Sequence, residues 1–527
     1  MIETRWSRTG SRRISSPNTW PSESPLPNEV VLSVDEVEAL AESFESRREA
    51  ELFSAASGRK GWPELAPLYE GPAALAPADT LPAIQTELAA EQTAKERRRL
   101  EALRGWVARH HARRAAAPFD DEHAAWSATA TVTTQGGNIP VRELPDLVAG
   151  TADRAQRAAI EAMRMDAVAD VSSLFTDRYS AWKASSKDLG YGSATAAAER
   201  TQGVNLDGLR REAGRFLDDT DDMYRHHLAE QLSGMPGAQP GHAATHDAAR
   251  LARTPWLDSD VAAVDTLDAI SGDLTDIGLS LEAQNHVTIH SEWSPEPWMR
   301  PFCAPRHGLG EVALLVTPIE KVSVARQLLR AIGRAIHYAW LDPRCPFALR
   351  ALGDPSVAEA HTHLWADLAS SAHWVGRVWG LRGDRRDSYL RQAAFLDLHD
   401  VRRLAARLEF ALAEADTGHP EGPGESWSQL MRTATGFAPD PREYLEYLSS
   451  GIQVAFWLRG RMLAAQLGRE LRDRHDEDWY RNPRAGAFLS QWLLDYDGQD
   501  AGELAVQLGD DRLSADALLT LTEERLA

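Results

Sequence analysis

Apolar and polar positions follow a helical period along most of this 527-residue chain. The clearest case is residues 322–340, where Ala325, Leu328, Leu329, Ile332, Ile336 and Ala339 form one stripe and Arg330, Arg334 and His337 fall on the opposite face. The same period predicts a helix from Ser33 towards Ala56, with Ser33 as N-cap and Glu36 at capping-box spacing. Another is expected over 84–116, where Glu91 and Lys95 stand at i, i+4. Further helices are expected over 153–177, 206–232, 258–281, 354–375 with Pro355 in its first turn, 388–415, 441–473 and 485–495. Strand patterns are few: a hairpin within 125–142 that turns at Gln135 to Asn138, and the compact apolar run 311–317. Residues 63–82 read as a linker and 234–242 as a Gly/Pro break. No internal repeat is apparent. The fold class is mostly α.

Composition narrows the partners. A formal charge of −21 argues against general polyanion binding and against DNA, because a nucleic-acid footprint needs a clustered basic surface. Positive charge is nearly all Arg, and Arg97, Arg98, Arg99, Arg104, Arg109, Arg113 and Arg114 cluster on one predicted helix. That cluster reads first as a solvated face, with docking of an acidic partner or RNA as the minority reading. Two cysteines, Cys303 and Cys345, cannot build a disulfide framework and fit a reducing cytosol. No secretory signal and no membrane-spanning run is apparent, so a cytoplasmic protein is expected. Residues 1–35, rich in Ser, Pro and Arg, read as a disordered tail. The pairs His110-His111 and His226-His227 are helical neighbours that point apart, and read as surface histidines rather than chelators.

The strand, the helix after it and the segment beyond resemble the oligoendopeptidase/thimet-type family of zinc metallopeptidases. That family shows Leu-Leu-His-Glu-x-Gly-His-Ala-x-His on a helix and then Gly-Asp-x-Ser-Val-x-Glu. This chain reads Leu328-Leu329-Arg330-Ala331-Ile332-Gly333-Arg334-Ala335-Ile336-His337, then Gly353-Asp354-Pro355-Ser356-Val357-Ala358-Glu359. Supporting matches lie at Phe302-Cys303-Ala304-Pro305, Gly310-Glu311-Val312, Thr435-Gly436-Phe437 and residues 477–489, so the resemblance spans roughly 90–500. It implies two helical lobes around a deep cleft, with a small edge-strand sheet beside the former active-site helix. The implied division is a tail (1–35), an N-terminal helix and linker (36–83), an N-terminal lobe (84–298) and a C-terminal lobe carrying the former catalytic helix (299–527).

The departures decide the chemistry. The resemblance implies zinc held by two His and a Glu, with a Glu base beside the first His, but this chain has Arg330 and Arg334 at the His positions and Ala331 at the base position. Arg offers only donors and cannot ligate zinc. Residues 451–459, where the family supplies a Tyr to the tetrahedral intermediate, contain no Tyr. Zinc peptidase activity is therefore not expected, and neither is a metal or other cofactor. Arg330 and Arg334 could anchor an anionic group, or could only pair with Glu359. His337, Glu359 and His363 are the candidate proton-transfer groups, with His363 one turn beyond Glu359; a replacement metal site from these three is disfavoured by the adjacent arginines. Glu311 and Val312 are candidate substrate contacts on the expected edge strand.

Three readings follow. One is a metal-free enzyme of bacterial specialised metabolism that performs acyl or aminoacyl transfer, conceivably from an aminoacyl-tRNA docked on the Arg97 to Arg114 helix, or an anion-releasing substitution on a small molecule. Another is a non-catalytic pseudopeptidase that binds a peptide by strand addition at 311–317. The third is a structural protein partner of another subunit.

Overall fold

The computed structural model describes residues 32–71, 77–91, 93–134, 137–291, 296, 298–448 and 451–527. Nearly all of the expected tail, and Gln135 and Gly136 of the expected turn, lie outside the described residues.

Seven helices build the region around the central cavity: α1 (Val34–Ala56), α2 (Ala94–Thr129), α3 (Ser172–Asp188), α4 (Val322–Ala339), α5 (Pro355–Ala366), α6 (Gly383–Asp416) and α7 (Val454–His475). The described residues also form further helices and five short strands: β1 (Thr131–Thr134), β2 (Gly137–Pro140), β3 (Val287–Ser291), β4 (Phe302–Arg306) and β5 (Glu311–Val316). The mostly α class holds. Among the described residues no helix is long and apolar enough to cross a membrane.

Local chemistry explains the boundaries. Ser33 and Glu36 close the predicted capping box on α1. The helix expected over 84–116 is two helices, because Thr93 caps α2 while its own N–H donates to the Glu91 carboxylate; Glu91 and Lys95 therefore share no helix. α2 then runs on to Thr129, and the hairpin is confined to β1 and β2, paired antiparallel from Thr131–Pro140 to Thr134–Gly137. The helix expected over 354–375 ends at Ala366, since Ser371 caps a new one, Ala372–Val378. The one expected over 441–473 breaks at Gly451, whose φ of 45° is left-handed. The other long expectations, 153–177, 206–232 and 258–281, likewise divide into shorter helices.

β5 is a buried apolar run, and the sheet order is β3-β5-β4: β3 pairs with it in parallel, β4 antiparallel. The expected edge strand is thus the central strand, because segments 287–291 and 302–306, not anticipated as strands, occupy both of its edges. α4 follows directly and packs against α5 at Gly333, where an added Cβ would lie 2.3 Å from the His361 carbonyl oxygen. α5 meets α7 at Gly460 in the same way, 2.7 Å from the Glu359 Cβ. These two glycines let three helices approach closely enough to fix Glu359 beside α4.

The largest apolar core joins α1, α2, the sheet, α4 and α5, so it draws on residues from both sides of position 298. α7 belongs to two cores: Leu463, Leu467 and Leu471 face this one, and Leu458, Met462 and Ala465 face a second one shared with α6. His110 corrects its expectation. It is 2% exposed, with its ring packed among Phe44, Tyr69 and Trp106. His226 sits on the surface, but His227 is largely covered, and both converge on Glu230, the first at 3.9 Å and the second at 2.9 Å.

Candidate functional site: an arginine-lined cavity

α4 is amphipathic, with its apolar stripe seated against the sheet and α5. Arg330 and Arg334, one turn apart on the other side, border a cavity of about 710 Å³. α1, α2 and α3 supply the facing wall, with Pro301 to Cys303, Glu359 of α5 and residues 451–457 around it. A volume of this size lies in the range of small-molecule sites.

Arg334 faces Glu359 at 3.8 Å and lies with its guanidinium carbon 5.4 Å from the Tyr338 ring centroid. Tyr338, Glu49 and Glu359 together hold it more firmly in the charged form than usual, against the pull of burial. Arg330 differs. It has no hydrogen bond or ion pair among the described residues, and burial lowers its pKa from the ordinary arginine value, with Asp400 the main opposing charge and Glu359 a lesser one.

The other cavity arginines are committed. Arg48 holds Glu49 at 2.8 Å and Glu45 at 3.6 Å, and Arg113 holds Glu45 at 3.2 Å. Arg178 pairs with Asp120 at 2.5 Å, Arg300 with Asp146, and Arg109 donates to the Leu352 carbonyl at 2.8 Å. Seven arginines and two glutamates, Glu49 and Glu359, thus border the cavity. In a chain of net charge −21 this is a local reversal of sign.

The expected proton-transfer group does not assemble. His337 is 3% exposed and set behind Arg334, its Nδ1 without a partner and its ring 5.2 Å from that of His361. Burial, then His361 and Arg334, push its pKa well below the usual histidine range. His363 borders no part of the cavity and makes no bond to Glu359: its Nδ1 lies 3.5 Å from Arg461, which in turn holds Asp367 at 3.0 Å. Burial, Arg461 and Arg330 keep it neutral. One turn of helix does separate residues 359 and 363, but α5 is wedged between α4 and α7: Pro355, Glu359 and Thr362 border the cavity, while His363 meets Arg461 of α7.

Glu311 and Val312 are also corrected. Both edges of β5 are paired, Val312 is 0% exposed and Glu311 is held by Arg306, so no peptide can add at this strand. Phe302 and Cys303 of β4 line the cavity instead, and burial pushes the Cys303 thiol up to about 12, which leaves it unreactive. Four of the seven arginines clustered on α2 are committed within the fold, while Arg97 and Arg114 are exposed. Arg98 binds Asp497 and Glu503, Arg99 binds Asp35, Glu38 and Glu96, and Arg109 and Arg113 point inward as described. Sequence reasoning missed the contributions of α1 and α3, Arg48, Glu49, Arg178 and Trp182. On α2, which faces the cavity beside them, the available signal was that Arg109 and Arg113 stand at i, i+4 among the small residues Ala108, Ala112 and Ala116.

No family model matches the chain, and no curated protein matches it in sequence. Solved structures do. Metallocarboxypeptidase 1 of Trypanosoma cruzi aligns at TM-score 0.58 and 12% identity, covering 94% of this chain and 99% of that one. A Pyrococcus furiosus carboxypeptidase, in its Apo-Mg structure, aligns at TM-score 0.55 and 13% identity over 94% and 100%. The fold is metallopeptidase-like. At such identities the likeness concerns the fold alone.

That fold implies a metal, and the donors here do not fit one. Two guanidiniums and a single carboxylate leave Glu359 as the sole ligand-type group on the cavity face shared by α4 and α5. Among the described residues the one group of His, Cys, Asp and Glu atoms close enough to share an ion is His226, His227 and Glu230, outside the cavity.

Proposed function

We propose that this protein is a metallopeptidase-like scaffold, of oligoendopeptidase/thimet type, whose cavity binds the anionic group of a small substrate at Arg330 without a metal at α4. The observation that carries the reading is the unmatched guanidinium. A cation partly removed from water costs free energy until an anion joins it, and six neighbouring arginines already have oxygen partners. An anionic ligand supplies the missing oxygen atoms, and guanidinium holds carboxylate, sulfate or phosphate bidentately.

The chemistry that fits is acyl or aminoacyl transfer, or a substitution that releases an anion, in the setting of bacterial specialised metabolism. Arg330 orients the anionic group and stabilises negative charge as it develops. Glu359 is the carboxylate available to take a proton from an amine or hydroxyl nucleophile, and Arg334 fixes its position. His337 supplies a neutral wall behind that pair. The two free, buried cysteines accord with a cytoplasmic setting. The central position of β5 weighs against a pseudopeptidase that captures peptides by strand addition, and the internal pairing of Arg98, Arg99, Arg109 and Arg113 weighs against tRNA docking on α2.

Titration calorimetry of the purified protein with butyrate, sulfate and phosphate tests the reading. Saturable binding of one of these that weakens at least tenfold in Arg330→Gln is expected. No binding of any of them, or equal binding to the variant, overturns it.

A further inference from the structure

We infer that the cavity's ligand is a monoanionic amphiphile, with one anionic group at Arg330 and an apolar or aromatic tail against Trp182 and Trp457. This rests on the anion-binding reading and gives it a substrate class.

Charge sets the number of anionic groups. A nucleotide, a diphosphate or the end of a nucleic acid strand needs several guanidiniums free to turn towards it. Here Glu45 and Glu49 hold Arg48, Glu45 also holds Arg113, and Asp120 and Asp146 hold Arg178 and Arg300. Arg334 faces Glu359, while Arg109 has a neutral carbonyl as its partner and is pulled down to about 10 by burial, with Arg113 adding to the effect. Each ion pair would have to break, leaving a partly buried carboxylate behind, before its arginine could serve a second phosphate. Arg330 is thus the one guanidinium of the lining with no oxygen partner among the described residues, and it offers a place for one anionic group.

The rest of the lining sets the tail. Trp182, Leu189, Phe302, Ile452, Phe456 and Trp457 line the same cavity as Arg330, with neutral polar side chains, Gln202, Gln327 and Gln453 the largest, among them. The two indoles are held in place: Trp182 stacks on Tyr179 with ring centroids 5.5 Å apart and lies against Gly451, while Arg407 sits 4.9 Å from the Trp457 ring. Fixed aromatic and aliphatic walls of this kind reward apolar area and flat rings and offer few hydrogen bonds. A short hydrophilic anion would leave them wet, and a neutral apolar molecule would leave Arg330 unmatched. An amphiphilic anion satisfies both.

The test is a calorimetric series on the full chain with acetate, butyrate, hexanoate, octanoate and 4-phenylbutyrate, alongside hexan-1-ol and pyrophosphate. Affinity is expected to rise two- to fourfold per added methylene until the cavity is filled. Hexan-1-ol should bind at least tenfold more weakly than hexanoate, and pyrophosphate no better than acetate. Arg330→Gln should weaken every carboxylate by a similar factor and keep the chain-length slope, whereas Trp182→Leu should flatten the slope for 4-phenylbutyrate and octanoate. Carboxylates that bind with no dependence on length overturn the amphiphile and leave anion binding standing. Pyrophosphate tighter than octanoate overturns the single charge. Absence of binding across the whole series overturns the anion-binding reading itself. The wild-type series reaches each of these outcomes even if a variant fails to fold.

Discussion

Glu359→Gln separates the two roles open to the α4 arginines. The substitution keeps the side chain's shape beside Gly460 and removes only its charge, 3.8 Å from Arg334. At that distance and an effective dielectric of about 20, the attraction is about 4 kcal/mol before desolvation. With 32% of the Arg334 side chain and 23% of the Glu359 side chain exposed, solvent screening and ordering costs reduce the net value to about 1–2 kcal/mol. In a chain of this size that lowers Tm by about 1–2 °C. The same carboxylate also competes with an incoming anion for the field of Arg334 and, at longer range, of Arg330. Removing it should therefore tighten butyrate binding by about tenfold, a gain of about 1.4 kcal/mol. Calorimetric titration and differential scanning on the same preparations read both numbers. A lower Tm with no gain in anion affinity would mean that the pair is structural and that the anion site lies elsewhere. An unchanged Tm with unchanged affinity would refute the electrostatic argument altogether.

The helix frame can be tested at Gly333→Ala, which forces a methyl group against the His361 carbonyl and should cost about 3 kcal/mol, read as a lower urea midpoint; near-wild-type stability would show that α4 and α5 are not held at this crossing. Glu443 is pushed up to about 7 by burial, with Glu161 and Glu446 adding to the effect against Arg164, so the stability it contributes is present below its unfolded pKa near 4.5 and lost as pH rises through 7. Glu443→Gln should accordingly stabilise the protein by up to about 3 kcal/mol at pH 8 and by little at pH 5, and an equal effect at both pH values would contradict this. Burial depresses His361 to about 4 and His399 to about 3, so their contributions are complete above pH 6.5 and fall away as pH drops; His361 alone loses about 3 kcal/mol between 6.5 and 4. A Glu443→Gln background whose urea midpoint stays flat over that window would rule this out. Arg330→His combined with Arg334→His should place two imidazoles at i, i+4 facing Glu359 and create stoichiometric zinc binding measurable by elemental analysis, while a double variant that folds and takes up no zinc would argue that α4 is not a former zinc helix.

What was legible in the sequence divides along a physical line. Periodicity reports on each element's own burial, so α4, α6 and the capped start of α1 are readable from their residues alone, as is the mostly α class. It says nothing about what lies alongside. The run Glu311–Val316 shows that a strand is buried, and such a run suits a central strand at least as well as an edge; only the pairing with 287–291 and 302–306 decides between them. Histidine spacing failed for the same reason. Residues 359 and 363 share a helical face in any isolated helix, but α7 arrives from a hundred residues away and places Arg461 against His363. The arginines teach the converse. Arg48 has Glu45 and Glu49 on its own helix, but in sequence Arg113 and Arg178 are indistinguishable from Arg330, and their difference lies in Glu45 and Asp120, brought to them from other helices. Which guanidinium of the cavity is left without an oxygen partner is therefore a property of pairing, visible only when each has been matched to its neighbours and Arg330 remains.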